Sequence, residues 1–141
     1  MANFTFYNFL FFEKSGCGGN ARQKELLKKH NITFEVRDLL NTKWSYEDLV
    51  DYFDGLEIVD MFNSFAPQVR DREIDITKLS KDEAINLMIK NPILIKRPLM
   101  QINGTKICGF DIDKINQLLN LNIQTDKKIN NCLSGDKCTS V

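Results

Sequence analysis

The sequence predicts one α/β domain, assembled as βαβ, a helical insert and then ββα, around a four-stranded mixed sheet. Three observations predict it. A strand-like run from Tyr7 to Glu13 meets a glycine-rich loop and then a helical apolar stripe. Asn103-Gly104 separates two short apolar runs near the other end of the chain. Between these halves, Ser45 and Ser80 each stand three residues before an acidic residue and just ahead of an apolar periodic segment, which is the signature of a helix start.

The elements follow in order. Tyr7 to Glu13 is aromatic and strand-like, and Lys14-Ser15-Gly16-Cys17-Gly18-Gly19 is a loop. Asn20 reads as a helix N-cap with Gln23 at the third helical position. Ala21, Leu26 and Leu27 form the apolar stripe, and His30-Asn31 closes the helix. Thr33 to Asp38 alternates apolar and polar residues as a second strand, parallel to the first because a helix crosses between them. The insert, about residues 45–90, holds a helix from Ser45 that ends at Gly55, a short helix from Leu56 to Phe62, and an irregular stretch where Pro67 discourages helix. A longer helix starts at Ser80 and stops at Asn91-Pro92. Pro98 to Ile102 and Lys106 to Gly109 form an antiparallel hairpin around Asn103-Gly104. Asp111 or Asp113 caps a closing helix through Ile115, Leu118 and Leu119. The domain is read as residues 1–121, and the polar stretch 122–141 as a mobile tail. That order is the thioredoxin-like arrangement.

Composition narrows the function classes. The 141 residues carry 19 basic and 19 acidic side chains, so there is no broad positive field of the kind that binds nucleic acid. No apolar run approaches the roughly 18–20 residues that span a bilayer. The greasy N-terminus lacks a basic leader and is followed by Glu13-Lys14 rather than a small-residue cleavage site, so it reads as a strand and the chain is expected in the cytoplasm.

The chemistry concentrates at Cys17. A cysteine between a strand end and a helix start faces unsatisfied backbone N–H groups and the positive end of the helix dipole, and both favour an anion. A thiolate is such an anion, so its pKa is expected below the ordinary value near 8.5. Gly16, Gly18 and Gly19 let the backbone turn its N–H groups toward the sulfur or a bound oxyanion. Asn20 opens the helix, and Lys14 and Arg22 add positive charge nearby. The alternative reading is a small residue in a tight loop.

Two segments carry a family resemblance, Glu13-Lys14-Ser15-Gly16-Cys17-Gly18-Gly19-Asn20-Ala21-Arg22-Gln23 and Asn91-Pro92-Ile93-Leu94-Ile95-Lys96-Arg97-Pro98-Leu99. The second resembles the signature of the arsenate reductase and Spx-type family. With Trp44 and the Met61 to Pro67 stretch, the chain looks like the nitrogenase-associated branch of that family. The resemblance covers about residues 5–121. It implies that Cys17 is the nucleophile, that Arg97 contacts an oxyanion beside the thiolate, and that Pro98 is a cis-proline opposite the cysteine loop. It also implies glutathione as co-substrate or a glutaredoxin- or thioredoxin-type reductant, no bound cofactor, and a setting in nitrogen fixation. The chain departs from the family pattern at Ala21, near Asn63 and at Gly109, where arsenate reductases carry arginines. Losing those cations weakens binding of a doubly charged oxyanion. The Spx-type partner cysteine, three residues after the first, is replaced by Asn20, so no vicinal disulfide forms there.

The other candidates read as follows. Cys108 lies on a strand as a small core or half-buried residue. Cys132 and Cys138 either resolve an oxidised Cys17 or are exposed thiols without a role, and their spacing without histidine does not suit zinc. His30 stands at the far end of a helix about 15 Å long, too distant to pair with Cys17. Trp44 is a packing or helix-entry residue. Two functions remain. One is a thiol-dependent redox protein acting through Cys17 and Arg97. The other is a non-catalytic protein-binding module that docks through Phe62, Phe65 and Val69 of the insert.

Overall fold

The computed structural model describes residues 8–125 and Ile129. Four strands, β1 (Phe9–Glu13), β2 (Glu35–Asp38), β3 (Leu99–Ile102) and β4 (Thr105–Cys108), form one sheet in the order β2-β1-β3-β4. β1 runs parallel to β2 and antiparallel to β3, with Phe12 opposite both Arg37 and Leu99, and Leu99 in turn faces Cys108 on β4. The sheet is therefore mixed and thioredoxin-like.

β1 takes an inner position because Phe-Leu-Phe-Phe is apolar on both faces. Phe9 and Phe11 point to one side, into a core with Leu27, Met100, Ile107 and Ile115. Phe12 points to the other, where it meets Trp44, Leu49, Phe53, Met88 and Leu99. The Phe12 and Trp44 rings lie 4.9 Å apart between centroids and are tilted by 55°, which is favourable aromatic geometry. Helices α1 (Gly18–Lys29) and α5 (Ile112–Leu119) cover the first face. The insert covers the second with α2 (Tyr46–Val50), α3 (Pro67–Arg70), α4 (Lys81–Lys90) and single 3-10 turns. β2 lies at the sheet edge, and three of its four residues are charged.

Both serine caps form complete capping boxes, Ser45 with Asp48 and Ser80 with Glu83. Asn103 and Gly104 take positive φ at the tip of the β3–β4 hairpin, the conformation that a tight two-residue turn demands. Asp111, rather than Asp113, caps α5. The peptide bond between Arg97 and Pro98 is cis.

Several local expectations change. β4 spans Thr105–Cys108 rather than Lys106 to Gly109, and the helix from Ser45 ends at Val50, short of Gly55. β2 begins at Glu35 instead of Thr33, and β3 begins at Leu99 instead of Pro98. The predicted helix from Leu56 to Phe62 is a 3-10 turn over Ile58–Met61. Pro67 starts helix α3 rather than preventing one, because at the first helical position its missing N–H has no partner to lose. Packing also continues past residue 121. Ile123 is buried in the α1/α5 core, and its backbone N–H and C=O are both held by the Asn116 side chain. Isolated apolar residues in a polar stretch give no periodic signal, which is why the sequence reads there as a tail.

Candidate functional site

Helix α1 starts earlier than the sequence suggests, and the difference is chemical. Cys17, not Asn20, is the N-cap, with an extended backbone (φ −75°, ψ 114°). Its Sγ accepts a hydrogen bond from the backbone N–H of Asn20 at 3.5 Å. The sulfur thus occupies the place of a capping oxygen, against the positive end of a twelve-residue helix. The loop before it is a tight turn, closed by the Cys17 N–H to the Lys14 carbonyl at 3.1 Å. Gly16, at the third position of that turn, has φ +85°, a conformation natural to glycine.

Asn20 has a different task from the one its sequence position suggests. Only 2% exposed, it accepts a hydrogen bond from the Lys14 N–H through Oδ1 (3.2 Å) and donates to Gln23 Oε1 through Nδ2 (3.0 Å). Gln23 is also buried, and its Nε2 donates to the Ile129 carbonyl at 2.9 Å. The cysteine loop, the first turn of α1 and the chain at Ile129 are thus joined by one hydrogen-bonded path. Outside it, Lys24 Nζ meets Glu13 Oε2 at 2.6 Å and ties α1 to the end of β1.

Cys17, Gly19, Asn20 and Arg97 line one open groove of about 700 Å³. Gly18, Arg22 and Pro98 are not among its lining residues. Gly18 is the first residue of α1, Arg22 is half-buried farther along it, and Pro98 is buried at the entry to β3.

The groove also contains residues that the sequence did not single out. Lys96 and Arg97 place two cations on the lining, and Asp60, Asp111 and Asp113 place three carboxylates on it. Lys96 is anchored by its backbone N–H to the Met61 carbonyl at 3.0 Å. Its side chain lies over Gly109, where an added Cβ would come within 3.4 Å of Lys96 Cε. Gly109 has φ +86° and donates its N–H to the Pro98 carbonyl at 2.8 Å. The only sequence signal for Lys96 was its adjacency to Arg97.

Cys108 shares the groove with Cys17. Its thiol donates to the Lys96 carbonyl at 3.7 Å. Burial pushes it up to about 12, with Asp60 adding to the rise and Lys96 opposing it, so it remains a protonated thiol at neutral pH. His30 caps the far end of α1. Trp44 is buried, and its indole N–H donates to the Leu39 carbonyl at 2.9 Å. Phe62 is 3% exposed and belongs to the core, so it does not offer a docking surface, whereas Phe65 is 44% exposed at the groove. Cys132 and Cys138 lie outside the described residues. Among the described residues, no group of three or more His, Cys, Asp or Glu is placed to hold a metal ion, and no helix is long and apolar enough to cross a membrane.

Comparison with known proteins adds the context. The model of the ArsC family matches residues 20–118. An uncharacterized 15.7 kDa protein of the draG 3′ region in Rhodospirillum rubrum is 39% identical over 125 residues, covering 89% of this chain and 87% of that protein. The global transcriptional regulator Spx of Streptococcus mutans is 26% identical over 77% of this chain and 80% of its own length. Among solved structures, the arsenate reductase of Vibrio cholerae superposes with a TM-score of 0.66 at 23% identity, covering 84% of this chain and all of its own, which is a likeness of fold.

Proposed function

The chain belongs to the ArsC family, and from that premise we propose that it is a thiol oxidoreductase whose nucleophile is Cys17. The observation that carries this reading is the cap itself: a cysteine sulfur held at a helix N-terminus, on the Asn20 N–H, inside a groove that also holds Arg97. The helix mouth favours an anion at that place, while the burial of Cys17, 5% exposed, opposes it.

The reaction is thiol–disulfide exchange. The Cys17 thiolate attacks one sulfur of a disulfide, the S–S bond breaks, and its electron pair leaves on the other sulfur as a thiolate. A second thiol, from glutathione or from a glutaredoxin- or thioredoxin-type protein, then attacks the substrate sulfur of the mixed disulfide; the S–S bond to Cys17 breaks, Cys17 leaves as a thiolate, and the substrate half stays bonded to that thiol. A further thiol attacks this new disulfide and frees the substrate half, so two reductant thiols together supply the two electrons. Arg97 and Lys96 hold an anionic group of the disulfide beside the sulfur, and the chain needs no bound cofactor. The chemistry requires a reducing compartment, so we place it in the cytoplasm. Arsenate is less well served. By the resemblance, arsenate reductases carry arginines at the places of Ala21 and Gly109 and near that of Asn63, and Asn63 is buried, with its side chain bonded to the Ile93 carbonyl and the Phe65 N–H.

A second reading rests on Val59 and Phe65, which are 56% and 44% exposed and both line the groove. Apolar residues at its mouth suit a docking module of the Spx kind. Cys17→Ser separates the two readings. A redox role predicts that the variant loses disulfide exchange, measured with glutathione disulfide, by at least about a hundredfold. Full exchange activity in Cys17→Ser sinks the redox reading, and retained function in cells favours docking.

A further inference from the structure

We propose that the groove receives the cysteine-bearing segment of a partner protein disulfide, one whose cysteine is flanked by a basic and a bulky apolar residue. The inference deepens the preceding reading and rests on Cys17 being the nucleophile. It names the substrate as a basic protein segment rather than a small polar disulfide.

The first support is apolar. Three large apolar side chains are exposed among the described residues, Val36, Val59 and Phe65, and the last two line the groove that holds Cys17. Val36 lies apart, on the edge strand β2. Exposed apolar side chains scattered singly are ordinary, but two that share a groove with the candidate nucleophile mark a binding surface. The half-buried Leu56 and Ile112 extend the apolar lining. A small polar disulfide leaves this rim in water. A protein segment covers it with a side chain of its own, and the groove of about 700 Å³ has room for one.

The second support is charge. Lys96 and Arg97 serve an anionic group beside the sulfur, which leaves the carboxylates of the lining for a base. Asp111 is committed to capping α5, through the Lys114 N–H at 3.2 Å. Asp60 and Asp113 are exposed and make no ion pair among the described residues. Asp60 follows Val59 in the chain, so an acid and an apolar group meet a ligand together. The insert behind them is acidic. Between Lys43 and Arg70 the sequence holds Glu47, Asp48, Asp51, Asp54, Glu57 and Asp60, all exposed, and no lysine or arginine. Lys106 approaches one end of this run, with Nζ 3.4 Å from the Asp48 carbonyl, and Asp60 ends it in the groove. Such a field draws a basic partner toward the groove and turns an acidic one away before contact.

The test uses short amidated peptides with one cysteine, each carried as the mixed disulfide with 2-thiopyridine. The Cys17 thiolate attacks the peptide sulfur, the S–S bond breaks, and its electron pair leaves on the thiopyridine, whose release is read by absorbance. Mass spectrometry then places the peptide on Cys17. Leucine and lysine flank the cysteine in one peptide, leucine and glutamate in the second, serine and lysine in the third. Glutathione carried in the same way is the small-ligand arm. At low salt the leucine–lysine peptide should react at least about fivefold faster than the leucine–glutamate one, the factor of an exposed ion pair at the upper end of its range. That ratio should fall toward one at about 0.5 M salt. The serine–lysine peptide and glutathione should both be slower than the leucine–lysine peptide by severalfold.

Asp60→Asn combined with Asp113→Asn should at least about halve the lysine-over-glutamate ratio. Val59→Ser combined with Phe65→Ser should do the same to the leucine-over-serine ratio. Glu25→Gln, an exposed carboxylate on α1 that does not line the groove, should keep both ratios. Equal rates for the lysine and glutamate peptides, glutathione as fast as the leucine–lysine peptide, or preferences that survive the groove variants overturn this inference, while adducts on Cys17 leave the nucleophile reading standing. If no reagent places an adduct on Cys17, the nucleophile reading fails and this inference fails with it.

Discussion

Asn20→Ala tests whether the hydrogen-bonded path behind Cys17 holds the fold as well as the site. Asn20 is 2% exposed and bonds the Lys14 N–H and Gln23 Oε1. Alanine strands both partners. A buried polar group left without its partner costs about 1–3 kcal/mol. Alanine is the better helix former at this position by about 0.5 kcal/mol, a small offset. For the two groups together, less that offset, the net loss is about 2–5 kcal/mol, a large share of the roughly 5–15 kcal/mol that domains possess. With a urea dependence of about 1–3 kcal/mol per molar, the unfolding midpoint should fall by about 1–2 M with little change in slope. Lys28→Ala, at an exposed site on the same helix, is the control and should move the midpoint by less than about 0.3 M. If Asn20→Ala shifts it no more than the control, the buried network contributes nothing to stability and the argument from it fails.

Two further outcomes are expected. Arg97→Met should raise KM for glutathione disulfide severalfold while leaving exchange with the uncharged 2-hydroxyethyl disulfide within about twofold, because only the first offers carboxylates to the cation; equal losses on both would remove Arg97 from anion binding. Burial holds the Tyr52 hydroxyl up to about 12, with Asp48 adding to it, so the unfolded chain loses that proton near pH 10 and the folded chain does not. Stability should be whole below pH 10 and fall by about 1.4 kcal/mol per pH unit between 10 and 12 from this residue, and urea midpoints of Tyr52→Phe should decline less steeply over that range than those of the wild type.

The framework was legible because its signals are local. Ser45 and Ser80 with their acidic partners, Asn103-Gly104, and the alternation of Phe9, Phe11 and Phe12 each specify an element without help from distant residues. The site was legible at Cys17, where the glycine loop and strand end marked a helix mouth. Its details were not. Asn20 has the stronger capping propensity, but the tight turn at Gly16 starts the helix three residues earlier and gives the cap to sulfur. Phe62 reads as a surface aromatic of an irregular insert, yet it is buried in the core beneath the insert, and its backbone bridges to Ile95. Lys96 and Cys108 enter the groove because of how the β3 entry and the end of β4 come together around the Pro98–Gly109 hydrogen bond, a tertiary fact with no local signature.

The inner position of β1 sets the order of events during synthesis. Its parallel neighbour β2 emerges soon after it, but its antiparallel neighbour β3 is made only once the chain has reached residues 99–102. Throughout the translation of the insert, one edge of a Phe-Leu-Phe-Phe strand has no ladder to join, and its aromatic faces have only part of their cover. Nascent chains with such an edge are candidates for chaperone capture and for pairing with one another on crowded ribosomes. The late hairpin around Asn103-Gly104 ends that exposure, so the last strands to be made are also the ones that release the chain to fold.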